Sequence, residues 1–168
     1  MENTATDDFQ KCLNFLESIN IPVFFRTIEG ASFLPGLTIE NGSIIVDKEN
    51  LLYPGDILHE AGHIACVPAS ERVDLNEDNI NNRKDNAAEE MMAIAWSYAA
   101  CVHLQLDAHF LFHENGYKGG AAHIADSFKN GHYFGVPMLQ WVGLCQERKS
   151  EAKPDKPVYP IMQKWLRD

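Results

Sequence analysis

The stretch LHEAGHIAC, Leu58 to Cys66, places two histidines four residues apart with a glutamate directly after the first. On a helix, residues four apart stack on one face, one turn from each other. His59 and His63 are therefore placed to offer both imidazoles to one metal ion. Glu60 lies about 100° round the helix from His59. That is too far to be a third ligand, but it is well placed to bond a water on the metal. Zinc lowers the pKa of such a water toward neutrality, and a neighbouring carboxylate takes its proton as the water attacks a carbonyl. Each defined position of His-Glu-x-x-His has a mechanical reason. With this chain's content of His and Glu, random placement gives the pattern somewhere with a chance of about 2%.

The surroundings of the motif strengthen the reading. Pro54 suits the first turn of a helix, and Pro68 stops it, so a helix is expected from about Pro54 to Val67. Ile57, Leu58, Ala61, Ile64, Ala65 and Cys66 make it apolar on nearly every other side, which marks it as buried. Burying two histidines and a glutamate without partners would cost a few kcal/mol each, and a shared metal removes that cost. Mid-helix Gly62 costs about 1 kcal/mol against alanine, which points to close packing there. A catalytic zinc site has three protein ligands and one open position. The candidates for the third are Glu89 and Glu90, opening the long apolar run NAAEEMMAIAWSYAA. Glu90 shares a helix face with Ala93, Ile94, Ser97 and Cys101, small enough to lie against Ala61 and Gly62. Glu89 shares the bulkier face of Met92, Ala93, Trp96 and Ala100. The small face favours Glu90, with Glu89 as the alternative.

Working outward, Phe9, Cys12, Leu13, Leu16 and Ile19 recur at helical spacing over residues 7–19. Ile21 to Ile28 is rich in β-formers. LTIE, then Asn41-Gly42, then SIIVD is the pattern of a β-hairpin whose turn needs positive φ at both central residues. Residues 68–85 form a long polar loop. Helices are expected over 86–106, 120–129 and 136–145. Residues 147–160 are charged and proline-containing and predict an extended arm, with a short helix at 161–166. One domain spans 1–168, with 147–168 as a C-terminal arm.

Fourteen Lys and Arg against 24 Asp and Glu give a net charge of −10, and 45% of residues are apolar. A folded, strongly acidic chain is a poor partner for nucleic acid or an anionic membrane surface. No apolar run approaches a membrane span, and the opening MENTATDDFQKC lacks the pattern of a secretion signal. Cys12, Cys66, Cys101 and Cys145 form no C-x-x-C pair and are expected to be buried, reduced thiols, consistent with a cytoplasmic location.

His-Glu-x-x-His with a glutamate on a later helix resembles the glutamate-type zincin metalloproteases, and within them the ImmA/IrrE-like metallopeptidases. The order SIIVD, KENLLYPGD, ILHEAGHIA matches that family's strand, short connection and motif helix. The family's third ligand begins a Glu-x-x-Ala pattern with an aromatic three residues on, which Glu90, Ala93 and Trp96 fit and Glu89 does not. The resemblance covers roughly residues 40–100. It implies an α+β, zincin-like fold, mainly helical with a small β-sheet beside the motif helix. It also implies His59, His63 and Glu90 as Zn²⁺ ligands, Glu60 as general base, and a peptide or protein substrate. The family's Leu-Leu-x-Pro after the glutamate helix is replaced by CVHLQLD, and no DNA-binding helix-turn-helix is recognisable.

Beyond Asp107, the His-, Gly- and aromatic-rich stretch HFLFHENGYKGGAAHIADSFKNGHYFGVP holds candidates for stabilising an oxyanion: His113, Tyr117, His123, His132 and Tyr133. Tyr117 and His113 stand first among them. GYKGG lacks the arrangement of a phosphate loop. His103 and His109 are expected to be structural, and Trp96, Tyr98 and Trp141 to belong to the core. The leading expectation is a zinc-dependent hydrolase, and the alternative is a non-catalytic metal-binding regulator on the same scaffold.

Overall fold

Asn41 and Gly42 both adopt positive φ, 49° and 70°, the geometry that a two-residue hairpin turn demands. They join β2 (Leu37–Glu40) to β3 (Ser43–Val46), paired antiparallel from Leu37 opposite Val46 to Glu40 opposite Ser43. A third strand, β1 (Val23–Phe25), pairs parallel with β3, giving the order β1-β3-β2. The computed structural model describes residues 2–30, 32–148 and 156–168. Within them the fold is α+β, with eight α-helices and this small sheet. Of the β-rich stretch from Ile21 to Ile28, only three residues pair.

The first helix, α1 (Glu2–Ser18), begins ahead of its expected start and buries Cys12, Phe15 and Leu16. The motif helix is α2 (Asp56–Cys66), and every one of its residues is buried. Its apolar sides pack on β2 and β3 and, most extensively, on α5 (Asn86–His103). The contact with α5 is close enough that a Cβ on Gly62 would stand 2.7 Å from the Ala93 carbonyl oxygen and 3.0 Å from its Cα. Glycine is required there by proximity. The expected continuation of α5 to residue 106 does not occur. Gln105 turns left-handed (φ 57°) and Leu106 N–H bonds the Cys101 carbonyl at 3.0 Å, a Schellman ending that satisfies the last carbonyls.

Residues 68–85 are not an unstructured loop. They hold two single helical turns, α3 (Ala69–Arg72) and α4 (Glu77–Ile80). Asn76 and Asn79 cap α4 reciprocally, and Arg72 donates from Nε to the Ile64 carbonyl at the end of α2. The segment after α5 contains an unforeseen short helix, α6 (Ala108–Leu111), capped by the Asp107 side chain. Then come α7 (Ala121–Lys129), as expected, and α8 (Val136–Trp141), which stops four residues early. Gly143 (φ 80°) lets Leu144 N–H bond the Leu139 carbonyl at 2.9 Å, again closing the helix end.

Two further expectations fail. Trp141 is 90% exposed, because α8 buries Val136 and Leu139, three apart on one face, and residue 141 falls on the other. No helix forms at 161–166. The backbone N–H groups of Gln163 and Lys164 bond the Leu144 carbonyl and that of Arg167 bonds the Ala65 carbonyl, so these donors serve other elements. Of the expected arm, residues 149–155 lie outside the described residues. Residues 156–168 pack across the back of α2 and α5. Tyr159 is buried with its hydroxyl donating to the Ala95 carbonyl at 2.8 Å, and Trp96 Nε1 donates to the Trp165 carbonyl at 2.9 Å. All four cysteines are free and buried, and burial pushes the Cys12, Cys101 and Cys145 thiols up to about 12.

Candidate metal centre

The helical repeat of α2 and its close approach to α5 bring His59, His63 and Glu90 together. Nε2 of His59 lies 3.1 Å from Nε2 of His63. Glu90 Oε2 is 3.1 Å from His63 Nε2, and Oε1 is 3.4 Å from His59 Nε2. Two donors each about 2.0–2.1 Å from a tetrahedral zinc ion stand roughly 3.3 Å apart. The two imidazole nitrogens are close to that spacing, and each meets a different oxygen of Glu90, so the three side chains lie close enough to share one ion. The imidazole planes are nearly perpendicular, at 87°. The two histidines are almost wholly buried, whereas the Glu90 side chain keeps 47% of its exposure and closes the site from the solvent side. Burial pushes the Glu90 carboxyl up, but its bonds to the two imidazoles outweigh this and hold it well below the usual carboxylate range.

Glu89, the alternative ligand, points elsewhere. It is 6% exposed and takes a two-pronged bond from Arg83, Nε to Oε2 at 2.6 Å and Nη2 to Oε1 at 2.8 Å. Arg83 also holds Glu71 at 2.7 Å, so Glu89 ties the 68–85 segment to α5.

His59, Glu60, His63 and Glu90 line one cleft of about 390 Å³. Leu37 of β2 and Glu77 and Ile80 of α4 form part of its wall, and Lys118 stands at its edge. Glu77 is itself fixed, accepting from Phe33 N–H at 2.5 Å and Thr38 Oγ1 at 2.6 Å. The segment expected as a loop is thus one side of the site. The Glu60 side chain makes no hydrogen bond or ion pair with the described residues. Burial raises its carboxyl to about 7, with His63 opposing the rise and Asp56, Glu77 and Glu90 adding to it.

The two leading candidates for oxyanion stabilisation take other positions. His113 Nε2 is 3.0 Å from Oδ1 of buried Asp56, and its ring stacks on Tyr53 at 3.9 Å. The Tyr117 hydroxyl is 3.4 Å from Nδ1 of His59, the ring nitrogen turned away from Glu90. Of the others, His123 and His132 are exposed, and Tyr133 packs against Phe128 and Tyr159. Asp56 and Arg83 were not singled out in the sequence. Nothing local marks either one, since each is defined by its partner's position.

The His59–His63–Glu90 group is thus able to bind a metal ion. Among the described residues no helix is long and apolar enough to cross a membrane. No protein-family model, curated protein or solved structure matches this chain.

Proposed function

We propose that the protein is a zinc-dependent hydrolase, a metallopeptidase of the glutamate-ligand zincin type resembling the ImmA/IrrE-like enzymes, working in the cytoplasm on a peptide or protein substrate. One observation carries this reading. The His59 and His63 imidazoles and the Glu90 carboxylate share a cleft with the Glu60 carboxyl group, which has no partner among the described residues. Zinc fits the donor set of two imidazoles and a carboxylate with a fourth position left open.

His59 and His63 of α2 and Glu90 of α5 would hold the ion. When bound, the ion supplies a Lewis acid that polarises a carbonyl and makes water more acidic. Glu60 accepts the proton of the attacking water and delivers it to the departing amine. The cleft wall formed by α4 and β2 holds the substrate chain beside the metal. The choice of a peptide rests on the family resemblance, and hydrolysis rests on Glu60.

The test is Glu60→Gln beside His63→Ala. Elemental analysis is expected to find about one zinc per chain in the parent and in Glu60→Gln, and little in His63→Ala. Peptide cleavage in Glu60→Gln is expected to fall by at least about 100-fold, the lower end of general-base contributions. Cleavage that survives Glu60→Gln would overturn the hydrolytic mechanism. A metal-loaded parent that cleaves nothing would leave the non-catalytic regulator as the better reading.

A further inference from the structure

We propose that Tyr117 is a positioning residue for the metal centre: its hydroxyl oxygen accepts a hydrogen bond from Nδ1–H of His59 and fixes that imidazole with Nε2 toward the ion. This deepens the metal-centre reading above and rests on it.

The first argument is which nitrogen the tyrosine meets. Nε2 of His59 faces His63 and Glu90, while the Tyr117 hydroxyl lies 3.4 Å from Nδ1. An imidazole that gives Nε2 to a metal carries its hydrogen on Nδ1, and that hydrogen needs an acceptor to set the ring's tautomer and orientation. Among the described residues, Tyr117 is the only side chain recorded within hydrogen-bond distance of that nitrogen. A donor for a developing oxyanion would have to stand on the Nε2 side, beside the open position of the ion. The hydroxyl is on the opposite side.

The second argument is how firmly the tyrosine is held. Tyr117 and Lys118 both adopt left-handed backbone, φ 54° and 53°. Such conformations cost non-glycine residues on the order of 1–3 kcal/mol each and persist where the surroundings impose them. The surroundings here are identifiable. Four residues earlier, His113 is bound to Asp56 in the first turn of α2 and stacked on Tyr53. The Tyr117 ring packs edge-on against His59, with centroids 5.6 Å apart, and against Phe112 at 5.4 Å. The segment from His113 to Tyr117 is thus pinned to α2 twice, at Asp56 and at His59, three residues apart on the motif helix.

The experiment compares the parent with Tyr117→Phe, which keeps the ring packing and removes only the hydroxyl. Zinc affinity is measured by competition with a chromophoric chelator, and the His59 imidazole is followed by ¹H–¹⁵N spectroscopy of the zinc-loaded proteins. The variant is expected to bind zinc 10- to 100-fold more weakly, the range for losing a group that supports a metal ligand. The His59 Nδ1–H resonance, protected in the parent, is expected to shift and exchange faster. Melting of the metal-free forms is expected to be unchanged, a result that separates this role from a merely structural one. Equal zinc affinity with an unchanged Nδ1–H signal overturns the proposal and leaves the metal centre standing. A parent that takes up no zinc removes the metal centre itself, and the role of Tyr117 with it.

Discussion

Two adjacent glutamates have opposite surroundings at the residue scale. Glu90 completes the donor triangle from the solvent side, and Glu89 is buried against Arg83. Opposite phenotypes follow. Glu90→Ala is expected to weaken zinc binding by more than about 100-fold, beyond the loss that a merely supporting residue causes. Its effect on the metal-free fold is small, since half the side chain is already in water. Glu89→Ala is expected to keep its zinc and lose roughly 1–3 kcal/mol of stability, because Arg83 is left without its main partner. Chelator competition and urea unfolding on the two variants check this, and exchanged outcomes would refute the ligand assignment. The spacing of His59, Glu60 and His63 was legible in the sequence because the helix repeat alone aligns it. The structure puts Glu90, on the small face, beside the two histidines and Glu89 against Arg83. Asp56 with His113 was not legible: 57 residues separate them, and no local pattern encodes such a pairing.

At the scale of elements, the site depends on how near α2 lies to α5. Gly62 touches the Ala93 backbone, so the helix carrying both histidines and the helix carrying Glu90 share one contact point. Gly62→Ala would gain about 1 kcal/mol of helix propensity. It would also force a methyl group into a gap that lacks room for it, at a cost of roughly 1–3 kcal/mol. The expected net result is a loss of up to about 2 kcal/mol together with weaker zinc binding, as His63 and Glu90 move apart. A more stable variant with parental zinc affinity would show that the two helices separate freely. The hairpin and the spans of α2 and α7 were legible because hydrophobic period and turn chemistry act locally. The 68–85 segment was misjudged because its polar composition hides two helical turns, of which α4 is capped by Asn76 and Asn79. What holds it is distant, with Arg83 on Glu89, Glu77 on Thr38 and Arg72 on the end of α2.

Over the whole molecule, two inputs converge on the α2–α5 pair. Residues 156–168 brace it from behind. Arg167 donates from Nη1 to the Cys66 carbonyl at 3.2 Å, and the Trp165 ring meets Trp96 and Phe15 edge-on. A metal would brace it from the front. Zinc held at 100 times its Kd is expected to add about 2.7 kcal/mol, which raises the melting temperature by roughly 5–10 °C in a chain of this size. Calorimetry with zinc and then with excess chelator checks this, and a melting temperature indifferent to both would remove the metal centre from the fold's energetics. The sequence by itself determined the alignment of His59 and His63, the hairpin turn and the burial of the motif helix. All three follow from periodicity and backbone preference within about ten residues. Only the tertiary structure decided that Glu89 faces Arg83, that Tyr117 meets the outer nitrogen of His59, that Trp141 lies in solvent, and that the last residues form no helix. Each of these depends on which distant group supplies the partner or the covering surface, and the approach of two helices fixes that where local propensity does not.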